Sequence, residues 1–316
     1  MKNKIIIILG PTASGKTGWG IKIAKKFNGE IICADSRTVY KYLNIATAKP
    51  KGKNCGLKEE KELGCRNVQG IKHYLLDFID PKKVYTVADF QRDTNKAIEL
   101  ILAKEKQPIM VGGSALYIYA LTEGYKFTPA TPEEQIKVRQ LRRELEKMEL
   151  GQLVELFKDI SPKDFQRVDL KNKRRVVRVL EGLLVLRNKK ISRRENSPIP
   201  YSILKIGIDL PREEVYRRID KRTDEWMAEG LIAEVRKLIR IKVNKIRINE
   251  FGLGYREVLK YMVGKIKNKN ELIERINFSQ HAYVRRQMTW FRRDKKIKWL
   301  KNIKRAEVII KKFLST

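Results

Sequence analysis

The 316-residue chain carries 70 Lys and Arg against 37 Asp and Glu, a formal charge of +33. That length buries a full core without staples and leaves room for one large α/β domain with a satellite, or for two domains. A field of that sign favours a polyanionic partner, nucleic acid first, and with no apolar run near the ~20 residues of a membrane span the chain reads as cytoplasmic.

Ile5–Leu9 is an apolar run of buried-strand character, too short for a signal peptide. It leads into Gly10-Pro11-Thr12-Ala13-Ser14-Gly15-Lys16-Thr17, which fits the phosphate-binding pattern G-x-x-x-x-G-K-[ST]. Gly18 to Phe27 then reads as a helix with Ile21, Ile23, Ala24 and Phe27 for the core. A strand, glycine loop and helix start aim backbone N–H groups at one point, where a polyphosphate fits. Lys16 is expected to reach the terminal phosphates and the Thr17 hydroxyl to hold Mg²⁺. The chain therefore handles a phosphorylated ligand.

Glu30–Ala34 is a second strand, ending at Asp35-Ser36-Arg37. Functional groups gather at strand carboxyl ends in open α/β sheets, so Asp35 is a candidate for chemistry or metal. Capping of the following segment suits it equally. Residues 51–70 read as an exposed Lys- and Gly-rich loop or hairpin. Its Cys55 and Cys65, like Cys33, are expected to be free thiols. With no C-x-x-C, and only His73 to add, a metal site would have three ligands. Thr86 caps a helix running to Lys104, and Pro108–Val111 is a third core strand, leading into Gly112-Gly113-Ser114.

From Tyr117 the character changes. Pro132–Lys147, Gly151–Asp159 and Asn172–Leu186 have helical periodicity with basic residues between the apolar positions, and no strand appears before Leu204–Leu210. Helices follow over Arg212–Met227, Leu231–Ile239 and Asn277–Phe291. The fold expected is α/β: a P-loop NTPase-like parallel sheet core, residues 1–116 with 200–316, interrupted by a helical insertion domain at 117–199. The Arg clusters at 174–175 and 285–286 lie on helical patterns rather than in tails, as a nucleic-acid surface requires. A compositional bias towards Lys, Ile and Asn would instead make much of that charge solvated surface. No coiled-coil stripe is visible, so a monomer is expected.

Several strings occur together: the phosphate loop, Asp35-Ser36-Arg37-Thr38-Val39-Tyr40, Thr47-Ala48-Lys49-Pro50, Val87-Ala88-Asp89-Phe90 and Val111-Gly112-Gly113-Ser114. Arg174-Arg175 with Arg178, Gly254-Tyr255 and Arg286-Gln287-Met288-Thr289-Trp290-Phe291 complete the set. In this order, over residue 4 to about residue 300, the chain resembles the tRNA dimethylallyltransferases. The resemblance implies transfer of a dimethylallyl group from dimethylallyl diphosphate to N6 of adenosine 37 in the tRNA anticodon loop. It implies that residues 10–17 hold the diphosphate rather than hydrolyse ATP, with Mg²⁺ as cofactor, and that Asp35 is the base. Asp35, Ser36, Arg37, Thr38 and Ser114 would read the extruded adenosine. Arg174, Arg175 and Arg178 on the insertion, with Arg285 and Arg286, would grip the anticodon stem. Arg222 is the candidate for a cation facing the diphosphate from the opposite wall, against the alternative of an exposed helix charge.

The chain departs from the family pattern at Thr38, often Gln; Ala46, often Gly; Asn172, often Asp; and His281, often Arg, while Ser114 replaces a usual Thr and keeps its hydroxyl. Loop 51–70 is longer than in compact members. The alternative class is a small-molecule kinase on the same loop, with Asp35 as base for a hydroxyl acceptor. A large basic insertion is more surface than such an acceptor needs.

Overall fold

The computed structural model describes residues 2–125, 127, 131–166, 168–185 and 198–316. They form two compact units, 1–123 with 199–316, and 124–198. The boundary falls after Glu123 rather than at Tyr117, because the helix carrying Tyr117 packs Ile118 and Leu121 into the core of the first unit.

The first unit is built on an eight-stranded sheet of β1 (Asn3–Leu9), β2 (Gly29–Ala34), β3 (Lys53–Asn54), β4 (Arg66–Val68), β5 (Ile71–Tyr74), β6 (Gln107–Gly112), β7 (Tyr201–Ile208) and β8 (Ile297–Leu300). Their spatial order is β3-β4-β5-β2-β6-β1-β7-β8. Pairing is parallel from β5 to β8, while β4 runs antiparallel to both β3 and β5. Strand β1 lies near the centre, and its isoleucines alternate between two cores. Ile5 and Ile7 enter one with Ile32 and Met110; Ile6 and Ile8 enter the other with Ile31 and Ile109. Burial on both faces is what a continuous apolar strand requires.

Helix α1 (Lys16–Lys26) follows the phosphate loop, and the short α2 (Lys58–Glu62) joins β3 to β4. Helix α3 (Val87–Leu102) starts as expected at Thr86, in a capping box with Asp89. Helix α4 (Ala115–Thr122) follows β6.

The second unit holds α5 (Pro132–Leu145), α6 (Leu150–Ile160), α7 (Pro162–Phe165) and α8 (Lys173–Val185), packed on Leu145, Leu153, Phe157, Val176 and Leu180. Within it Arg142 Nη2 donates to Glu181 Oε2 at 2.7 Å. The expected end of the last helix, Leu186, lies outside the described residues.

Back in the first unit come α9 (Arg212–Ala228), α10 (Leu231–Arg240), α11 (Lys245–Phe251), α12 (Leu253–Met262), α13 (Lys269–Phe291) and α14 (Ile303–Ser315). Strand β8 and helix α14 carry no reading in the sequence. Lysines interleave their apolar residues, so each presents only a half-buried face, with Ile297, Leu300, Ala306 and Ile310 inward.

Cys55 and Cys65 are bonded to each other rather than free, with Cα atoms 5.4 Å apart. The β3–β4 pairing brings them together, and Cys55 N donates to Cys65 O at 3.1 Å. Cys33 is a free thiol buried on β2. Among the described residues no helix is long and apolar enough to cross a membrane.

Candidate active site

The phosphate loop starts where β1 ends and turns through left-handed backbone at Ala13 (φ 61°) and Gly15 (φ 83°). This turn stacks successive N–H groups towards the start of α1. Lys16 Nζ donates to Pro11 O at 3.1 Å, which folds the side chain back over the loop. Burial is the main cause that pulls its ammonium down to about 8; the Asp35 carboxylate pushes it up and Arg222 lowers it further. Those three charges therefore share one site. The Ser14 hydroxyl is buried without a partner among the described residues, an unmet donor of the kind a bound anion satisfies.

Asp35 directly follows β2, and it does not cap a helix there. Its Oδ1 accepts from Arg37 N at 2.8 Å and Thr38 N at 3.4 Å, closing a turn rather than starting a helix. One oxygen fixes the carboxylate in the turn, and the other, Oδ2, meets no protein donor among the described residues.

Ser114 follows β6 and holds the same turn. Its Oγ accepts from Ser36 N at 3.0 Å and its N donates to Ala34 O at 3.2 Å. Tyr283 from α13 lies beside Ser114, and burial with the Asp35 charge pushes its phenol up to about 12.

Arg222 on α9 is not an exposed helix charge. Its Nη2 donates to Thr12 Oγ1 and Gln280 Oε1, each at 2.8 Å, and its guanidinium lies 4.8 Å from the Trp226 ring centroid. Its Nε is buried without a partner among the described residues. Burial lowers its pKa to about 10, so it stays cationic at neutral pH.

Sequence reading gave no role to the residue that ties these parts together. Gln287 on α13 accepts from Thr12 N at 3.0 Å and donates to Gly113 O at 2.8 Å, bridging the phosphate loop to the end of β6. The signal lies in the Gln280–Gln287 spacing: seven residues put both carboxamides on one face of a helix.

The other candidates are distributed differently. Arg37 donates to Phe251 O (2.7 Å) and Glu250 O (2.8 Å), so its side chain caps α11. Thr38 is buried, its hydroxyl without a partner among the described residues. Thr17 is exposed at the first turn of α1, its hydroxyl without a partner among the described residues. Arg285 and Arg286 are exposed on α13, and Arg285 Nη1 donates to Tyr216 OH at 3.2 Å. His281 stacks on Tyr216 with centroids 3.9 Å apart. Arg174, Arg175 and Arg178 are exposed on α8 of the second unit, Arg175 within 3.4 Å of Asp169.

A phosphate loop whose lysine senses a strand-end carboxylate defines an enzyme acting on a phosphorylated ligand. The sequence profile of the IPP transferase family matches residues 38–294. The tRNA dimethylallyltransferase of Acetivibrio thermocellus is 38% identical over 301 residues, covering 94% of this chain and 91% of that protein. That of Carboxydothermus hydrogenoformans is 38% identical over 322 residues, covering 100% and 97%. Among solved structures, the tRNA delta(2)-isopentenylpyrophosphate transferase of Staphylococcus epidermidis superposes with a TM-score of 0.65 at 32% identity, covering 99% of each chain. This chain belongs to the IPP transferase family. It is a transferase of prenyl groups, and these relatives do not favour the kinase alternative.

Proposed function

We propose that the protein transfers the dimethylallyl group of dimethylallyl diphosphate to N6 of adenosine 37 of tRNA, acting as a monomer in the cytoplasm. The observation that carries this reading is the Asp35 carboxylate, with one oxygen tied to the turn and the other without a partner among the described residues, within electrostatic reach of Lys16 and Arg222. An exocyclic adenine amine is a weak nucleophile because its lone pair is delocalised. As the N6–carbon bond forms and the allylic carbon–oxygen bond breaks, Asp35 Oδ2 takes the N6 proton. Negative charge then builds on the departing diphosphate, which Lys16, Arg222 and the N–H groups of residues 10–17 stabilise.

The donor set fits Mg²⁺, which takes one or two protein oxygens and completes its shell with phosphate and water. Thr17 Oγ would hold it, and the ion would neutralise diphosphate charge when bound. Ser114, with Tyr283 behind it, holds the Ser36–Arg37–Thr38 turn that would receive the extruded base. The exposed Arg174, Arg175, Arg178, Arg285 and Arg286 suit phosphates of the anticodon stem.

The test is incubation of the protein with Mg²⁺, unmodified tRNA and radiolabelled dimethylallyl diphosphate, beside an arm with ATP and tRNA. Label at an adenosine next to the anticodon is the expected outcome. Phosphate release from ATP with no label in tRNA would overturn the reading.

Diphosphate binds the charged form of Lys16, whose pKa lies near 8 in the free protein. Affinity is therefore complete well below pH 8 and declines as pH rises through that value. We expect kcat/KM for dimethylallyl diphosphate to fall along an alkaline limb with an apparent pKa near 8, measured with tRNA saturating.

A further inference from the structure

The insertion at residues 51–66 has no part in the site above, yet it rises from the same end of the sheet. Strand β5 is parallel to β2, so Tyr74–Asp77 emerge at the carboxyl end where Asp35 lies. Strand β3 runs the same way and β4 returns, which puts α2 and the Cys55–Cys65 bond at that end too. Leu75 N and Leu76 N donate to Leu63 O (2.8 Å) and Gly64 O (3.0 Å), and Lys72 Nζ binds the buried Glu60 of α2 at 2.6 Å. The insertion is thus a fixed wall.

Between this wall and residues 41–44 lies a cleft of about 560 Å³, within the ~300–1,000 Å³ of small-ligand sites. Its lining residues Asp77 and Phe78 are tied to the chain that follows Asp35, Asp77 N donating to Thr38 O and Phe78 N to Val39 O, each at 2.9 Å. Its chemistry is mixed in a particular way. Tyr42 offers an aromatic ring that is 40% exposed, with Lys237 Nζ 4.9 Å from the centroid. The side-chain amides of Asn44 and Asn54 have no hydrogen-bond partner among the described residues, and the ammoniums of Lys41 and Lys61 have no ion pair there. Of the two carboxylates in the wall, Asp77 is neutralised by Lys49 and Arg66, leaving Glu62. Tyr42 (φ 66°) and Asp77 (φ 57°) hold left-handed backbone, which a bulky residue keeps only where its surroundings impose it.

An aromatic face, two amides and unpaired ammoniums are the groups that receive a single unstacked ribonucleotide. We propose that this cleft binds one nucleotide of the RNA loop, a neighbour of the modified base, with the base on Tyr42, its edge on Asn44 or Asn54, and its phosphate on Lys41 and Lys61. The inference rests on the tRNA reading above and adds a specificity site to it.

The test uses the full-length protein and an anticodon stem-loop carrying 2-aminopurine at each loop position in turn. With the parent, fluorescence at one position flanking the target adenosine is quenched on binding. With Tyr42→Leu that quench is lost and Kd for the stem-loop rises about tenfold, while KM for dimethylallyl diphosphate is unchanged. Lys61→Gln lowers the salt slope of binding by about 0.7, one phosphate contact on a single strand.

Equal quenching, Kd and salt slope in parent and variants, with prenyl transfer intact, would overturn the cleft alone. A free mononucleotide that binds in a Tyr42-dependent manner while the stem-loop does not would overturn RNA as the occupant. A parent that neither binds the stem-loop nor transfers label would overturn both readings.

Discussion

Asp35→Asn lowers single-turnover transfer by about 10³-fold, within the range of a general base, and leaves tRNA binding within about tenfold of the parent. The amide keeps an oxygen that accepts from Arg37 N and Thr38 N, so the turn retains its form. What it loses is the second oxygen as a proton acceptor. An effect confined to the transition state lowers kcat and kcat/KM together and spares binding. Asp35→Ala removes the turn contacts as well and should weaken tRNA binding further than Asn does. Single-turnover rates with saturating protein, beside filter binding of tRNA, separate the two. Reduced tRNA binding by Asp35→Asn with an unchanged single-turnover rate would return Asp35 to the turn-capping role.

The legible parts of this molecule were those where local pattern and tertiary role coincide. Ile5–Leu9 is buried on both faces, so its apolar run needs no partner to be read, and the glycine spacing after it fixes a backbone shape by itself. Thr86 and Asp89 form a cap within four residues, and the helix follows. Strand β8 and helix α14 were not legible, because a lysine-interleaved edge element looks like solvated chain until β7 is beside it.

The same limit applied to the site. Asp35 and Ser114 follow strand ends and Lys16 opens the helix after the phosphate loop, so each announces itself by position. The work of Gln287 lies in contacts to Thr12 and Gly113, 275 and 174 residues away in sequence. Cys55 and Cys65 were misread for a related reason. A spacing of ten carries no signature, and only the pairing of β3 with β4 brings the sulfurs together.

Arg222→Ala should lower kcat/KM for dimethylallyl diphosphate by about 10²–10³-fold, the usual cost of removing one preorganised donor to developing charge, with KM for tRNA little changed. The guanidinium is already placed: Thr12 and Gln280 hold Nη2, Trp226 lies under the plane, and Nε is left over with no partner among the described residues. A buried donor that neither protein, water nor ligand meets costs about 1–3 kcal/mol. A diphosphate oxygen that meets this donor removes that cost.

Arg222→Lys should recover little of the lost activity. A single ammonium cannot hold Thr12 and Gln280, stack on Trp226 and still present a donor in the planar fork. The change also has a signature at a distance. Arg222 is one of the causes that lower Lys16, so its removal should move the alkaline limb upward from about 8. A pH–rate profile of Arg222→Ala that falls in activity but keeps its limb at the parent value would mean that the two cations do not share a site, and would remove Arg222 from the diphosphate wall.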